Sequence, residues 1–113
     1  MAQLDDCIFC KLANGIIPTD FVLETDDAVA FKDMNPQAPV HVLLVPKDHY
    51  TGLNDDVPAE LLGKLLKLVP EVAEACGIRE SGYRTILNTG DDANQTVKHN
   101  HVHVIGGKKL SGF

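Results

Sequence analysis

The sequence has no excess of basic residues: ten Lys and Arg stand against sixteen Asp and Glu, giving a formal charge of −6 and a pI of about 5.2. An extended nucleic-acid footprint needs a basic face, so no nucleic-acid partner is expected. A single small anion held by backbone N–H groups and histidines stays open. There is no run of about eighteen apolar residues, so no membrane partner is expected. Met1 to Cys10 carries Asp5 and Asp6 and lacks an apolar stretch, which argues against a secretory signal and makes the cytoplasm the expected compartment. Cysteine is scarce and odd in number, at three, so a disulfide framework is not expected. Internal repeats and low-complexity segments are absent as well.

What is present suffices for one domain spanning 1–113. Apolar residues make up 44% and charged residues 23%, and a chain of this length buries roughly two thirds of its unfolded surface without a covalent staple. Asp5 or Asp6 is placed to cap a short helix beginning near Cys7, with Gly15 at its end and Pro18 preventing continuation. Phe21-Val22-Leu23 and Ala28-Val29-Ala30-Phe31 read as strands of a hairpin around the polar turn from Glu24 to Asp27. Asp33 to Pro39 reads as a loop, and Val40 to Val45 as an apolar strand stopped by Pro46. Asp55 or Asp56, with Pro58 in the first turn, opens a long helix. Its stripe runs through Leu61, Leu62, Leu65, Leu66, Val69, Val72, Ala73 and Cys76 to a stop at Gly77, and Pro70 is expected to kink or break it. Gly82 to Leu87 and Val97 to Ile105 complete about five strands. Strands joined mostly by turns predict an α+β fold: an antiparallel sheet with one long and one short helix on one face.

The feature richest in chemistry is His99-Asn100-His101-Val102-His103-Val104-Ile105. On a strand, alternate residues share a face, so the three imidazoles form a row with a spacing of roughly 6.6 Å. Imidazole titrates nearest neutrality and serves as nucleophile, proton carrier or anchor for phosphate. A histidine attacking phosphorus needs its second nitrogen held by an acceptor, and a neighbouring histidine suits the phosphate oxygens or the leaving group. The plainer readings are a histidine-rich half-buried strand or a metal patch. A cupin-like site is one form of the latter, but the carboxylate such sites add is missing from Val104-Ile105-Gly106-Gly107.

This row, followed by two glycines, resembles the His-φ-His-φ-His-φ-φ signature of the histidine triad family, in its nucleotide-binding and phosphoramidase branch. Asn100 departs from the pattern, standing where an apolar residue is usual. The resemblance runs from Cys7 to Gly107. It includes Phe31-Lys32-Asp33-Met34-Asn35-Pro36-Gln37-Ala38-Pro39, His41 to Lys47, His49, Gly82-Tyr83-Arg84 and Asn88-Thr89-Gly90. It implies that His101 is the nucleophile, that His103 contacts phosphate and leaving group, and that the carbonyl of His99 orients the nucleophile. It also implies that His41 supports the triad, that Asp33 accepts from the ribose hydroxyls, that Phe31 and Met34 touch the base, and that Asn88 and Thr96 are polar contacts to phosphate or leaving group. Each has a plainer alternative: Asp33 as a turn residue, Asn88 as a loop former, Phe31, Met34 and His41 as core.

Cys7-Ile8-Phe9-Cys10 supplies two thiols at a helix start, as a zinc site requires. His49 and His99 complete a Cys-Cys-His-His set of the kind the resemblance implies for bacterial members. Two buried thiols and a redox dithiol are the alternatives, although the βαβ context of the latter is absent. Cys76 reads as core. The function implied is hydrolysis of a purine nucleoside phosphoramidate at the α-phosphorus through a covalent nucleotidyl-histidine on His101, in a cytoplasmic homodimer with structural zinc and no catalytic metal. The rival is a purine nucleotide-binding module with little catalysis that acts through partners. The chain ends Leu110-Ser111-Gly112-Phe113, without the tryptophan-containing tail of close relatives.

Overall fold

The computed structural model describes residues 6–112. Helix α1 is Ile8–Ala13 and strand β1 Leu23–Glu24; β2 is Ala28–Lys32 and β3 Val40–Pro46. Helix α2 (Ala59–Ala75) precedes β4 (Tyr83–Ile86), and a one-turn 3-10 segment, Asp91–Ala93, precedes β5 (Val102–Gly106). These strands form one sheet in the order β1-β2-β3-β5-β4, with every neighbouring pair antiparallel.

Alternation along the strands divides the core in two. Ala28, Ala30, Val42, Leu44, Val102 and Val104 face α2, which buries Leu65, Val69, Val72 and Ala73 against them. Val29, Phe31, Leu43 and Val45 face the other way and pack on Phe9 and Ala13 of α1. The two helices therefore lie on opposite faces, not on the one face expected. Central strands covered on both sides show why β2 and β3 read as continuous apolar runs.

Several boundaries differ from expectation. Cys7 is the N-cap of α1, its Sγ accepting from Cys10 N–H at 3.3 Å, so Asp6 does not cap it; Asp5 and Phe113 lie outside the described residues. Pro58 is the N-cap of α2 and lies outside its first turn. Pro70 does not break α2, which runs continuously past it. The carbonyl deprived of its N–H partner is that of Leu66, an exposed residue, where water can replace the bond. The first strand is Leu23–Glu24, without Phe21 and Val22, and β4 is Tyr83–Ile86, shorter at each end than the Gly82 to Leu87 expected.

The last strand begins at Val102, five residues later than expected, so His99 and His101 precede it. The reason lies in its partner. The β3 ladder ends at Leu44↔Val102. Beyond it, Asn100 N–H bonds to the carbonyl of Tyr50 at 2.6 Å, and the Pro46 carbonyl is taken by the His99 ring.

Candidate active site

On the α1 face lies a cavity of about 260 Å³. Phe9 and Leu12 of α1 wall it with Phe31 of β2 and Leu43 of β3. The Phe9 ring stands edge-on to Phe31, with centroids 5.8 Å apart, and edge-on to His101 at 5.0 Å. At the polar end are Asp33, Thr96, His101 and His103. Met34 is at the rim, 98% exposed, so it is not a core residue. Asn88 is half-buried after β4 and is not part of this wall.

The hydrogen bonds assign protons to the histidines. His101 Nδ1 lies 2.6 Å from the carbonyl of His99. A carbonyl only accepts, so Nδ1 carries the hydrogen and Nε2 keeps its lone pair. Burial pushes the His101 pKa below the ordinary imidazole value, against the pull of that carbonyl. The ring is thus a neutral base with one free nitrogen, and only 7% of the residue is exposed.

His103 has the opposite tautomer, fixed by a chain of donors. Gln37 N–H donates to His41 Nδ1 at 3.0 Å, so the hydrogen of His41 is on Nε2. That Nε2 lies 2.9 Å from His103 Nδ1 and 3.3 Å from Asp33 Oδ2. His103 Nδ1 therefore accepts, and its own hydrogen is on Nε2. Burial, and then the neighbouring His101 and His41, push the His103 pKa down to about 4. The two rings stand side by side, centroids 4.9 Å apart, one offering a lone pair and the other an N–H.

Asp33 serves two purposes. Oδ1 accepts from Asn35 N–H at 2.8 Å, the turn role anticipated as its plainer alternative, while Oδ2 faces His41. Asp33, His41 and His103 also bring three ligand-type atoms within 4.8 Å. A metal there would need a lone pair on His41 Nε2, which would force a hydrogen on Nδ1 against the Gln37 N–H. This cluster is a hydrogen-bond chain.

Cys7, Cys10, His49 and His99 bring four ligand atoms within 4.8 Å of one another. Cys7 Sγ is 3.2 Å from His99 Nδ1, and Cys10 Sγ is 3.4 Å from Nδ1 of both His49 and His99. A tetrahedral zinc with thiolate and imidazole ligands has S···N edges of about 3.5 Å, so the set fits the ion. His99 Nε2 donates to the Pro46 carbonyl at 2.8 Å, which directs the Nδ1 lone pair to the sulfurs. His99 is fully buried, and burial pushes its pKa down to about 4, so it is neutral, as a ligand must be.

The row thus divides, with His99 in the sulfur cluster and His101 and His103 in the cavity, so the three rings do not share one ion as a cupin-like site would require. Sequence reasoning missed Phe9, the backbone N–H of Gln37 and the carbonyl of Pro46. Only Phe9 carried a signal, as the aromatic on the inner side of a short helix.

A family model described as HIT domain matches residues 14–110. A purine nucleoside phosphoramidase of Escherichia coli is 40% identical over 109 residues, covering 94% of this chain and 91% of that protein. A 14 kDa zinc-binding protein of Zea mays is 41% identical over 117 residues, covering 98% of this chain and 91% of that protein. A HIT family hydrolase of Legionella pneumophila has a crystal structure that matches with a TM-score of 0.89 at 40% identity, covering 94% of this chain and 96% of that one.

Proposed function

The chain belongs to the histidine triad family of hydrolases, and on that premise we propose that it is a purine nucleoside phosphoramidase. The observation that carries this reading is the pair of opposite tautomers on His101 and His103. His101 Nε2 is the nucleophile. It attacks the α-phosphorus as the P–N bond breaks, and the departing electron pair stays with the amine, which takes a proton from water in the cleft. The new positive charge on the His101 ring is stabilised by the Nδ1–H bond to the His99 carbonyl. His103 Nε2–H donates to a phosphate oxygen or the leaving atom. Water then attacks phosphorus, giving up one proton to the hydroxide left when the amine was protonated; the P–Nε2 bond breaks with its pair returning to the ring, and the nucleoside monophosphate leaves.

In this reading Phe31 and Met34 contact the purine, Asp33 Oδ2 accepts from the ribose, and Thr96 and Asn88 serve the phosphate end. His41 supports His103. Cys7, Cys10, His49 and His99 would hold a structural zinc. Bound there, such an ion would fix the loop from which His101 projects, and no step of the reaction is routed through it. The domain spans 1–113 and works as a cytoplasmic homodimer. For the described residues, no helix is long and apolar enough to cross a membrane.

The test compares wild type with His101→Ala on a fluorogenic adenosine phosphoramidate. Loss of at least about a thousandfold in kcat is expected when a nucleophile is removed. Equal turnover by both proteins overturns the reading. Purine nucleotide binding with negligible turnover by the wild type favours a binding module instead.

A further inference from the structure

Residues 91–94 and Thr96 are exposed, yet Gln95 between them is 6% exposed. Both polar atoms of its amide are hydrogen-bonded. Oε1 accepts from Gly90 N–H at 2.9 Å, while Nε2 donates to the carbonyl of Thr51 at 2.6 Å and to that of Val97 at 3.2 Å. The Gln95 main chain returns the bond, N–H to the Gly90 carbonyl at 3.1 Å, closing the loop between the two residues. Gly90 has a φ of +86°, a conformation suited to glycine at such a neck. The other tether leads to Thr51, two residues past His49. Gly52 is where the segments meet: a Cβ there would come 3.3 Å from Thr89 Cγ2 and 3.4 Å from Gln95 Oε1.

We propose that Gln95 is a positioning residue, which sets the phosphate end of the site by tying the loop of residues 90–95 to the segment that bears His49. It acts through Thr96, the next residue, which lines the cavity beside His101 and His103. The inference rests on the phosphoramidase reading and deepens it. An exposed polar loop has no hydrophobic anchor, so its geometry depends on such bonds. Misplacing a group in a reacting site by about 1 Å costs on the order of a hundredfold in rate.

The experiment uses Gln95→Met, which nearly keeps the volume and deletes all three amide bonds, and Gln95→Glu, which turns an oxygen toward the Thr51 and Val97 carbonyls. With an adenosine phosphoramidate, both should lose at least about 30-fold in kcat. The dissociation constant of adenosine, which lacks phosphate, should change less than about threefold because Phe31 and Asp33 are not displaced. Thr96→Ala should cost about tenfold in wild type but less than about twofold in the Gln95→Met background, since residues acting as a unit are not additive. Amide exchange should show the Gly90 N–H unprotected in Gln95→Met while Val42 in β3 stays protected. A kcat within threefold of wild type overturns the proposal, as do multiplying effects of Gln95→Met and Thr96→Ala or an adenosine affinity that falls in step with kcat. An inactive wild type counts instead against the phosphoramidase reading, and Gly90 exchange then decides the clamp: protection unchanged in Gln95→Met overturns it.

Discussion

Acidifying the assay from pH 7 to pH 5 should lower kcat/KM less than ordinary histidines would. Both rings must be neutral in the free enzyme: His101 to attack, and His103 to accept from His41 while presenting its Nε2–H. An imidazole at the ordinary value of about 6.5 is only about 3% neutral at pH 5. His103 is pushed down to about 4 by burial and by the neighbouring His101 and His41, and a group at that value is about 90% neutral at pH 5. His101 moves in the same direction for the same first cause. The acid limb is set by whichever of the two titrates higher, so its midpoint must lie below 6.5. The assay is kcat/KM for a fluorogenic adenosine phosphoramidate between pH 4.5 and 8, with the uncatalysed rate subtracted. His103→Gln keeps an N–H donor, so its residual limb should report His101 alone. A wild-type limb centred at or above 6.5 would refute the assignment of neutral, buried rings. Linkage has the same sign in stability. The unfolded chain takes up the His103 proton first, so stability falls as pH drops through the window from about 6.5 to about 4.

Asn100→Val should raise the thermal midpoint, because Asn100 is fully buried with neither Oδ1 nor Nδ2 hydrogen-bonded, and such a group costs about 1–3 kcal/mol; a lower midpoint would show the amide to be useful. Cys7→Ser should be purified without zinc while His101→Ala carries one equivalent by elemental analysis; loss of zinc from His101→Ala would place the ion among the catalytic rings. Gly106→Ala should lower the urea midpoint by about 1–3 kcal/mol in stability, since its Cβ would lie 3.0 Å from Ile78 Cδ1 and 3.1 Å from the Gly82 carbonyl; an unchanged midpoint would mean that Ile78 and the β4 edge yield freely.

Most of the architecture was legible in the sequence because it depends on local pattern. Strands β2 and β3 declared themselves by apolar runs, and α2 by the spacing of Leu65, Val69 and Val72. The helix faces were not legible: α1 is six residues long, and only its packing on Val29 and Phe31 tells which side of the sheet it covers. Nor was the start of β5, since the pattern from Val97 to Ile105 suits a strand throughout, and only the end of the β3 ladder limits it. At the site, motif spacing identified the residue types and the family resemblance set His99 with Cys7, Cys10 and His49; the structure brings those four together, apart from His101 and His103. The tautomers were beyond sequence reasoning, because they depend on main-chain groups of Gln37 and His99 that carry no side-chain signature. Gln95 was missed for a related reason. A glutamine in a polar loop looks like solvent-facing surface until its three partners are in place.

The covalent step on His101 is tested most directly by quenching the wild-type enzyme with an adenosine phosphoramidate within a single turnover and mapping the modified peptide by mass spectrometry. A nucleoside monophosphate adduct on the His101 ring, formed and lost at least as fast as kcat, is the expected result. Product that accumulates with no phosphorus on that ring, or with the adduct on His103, would contradict it.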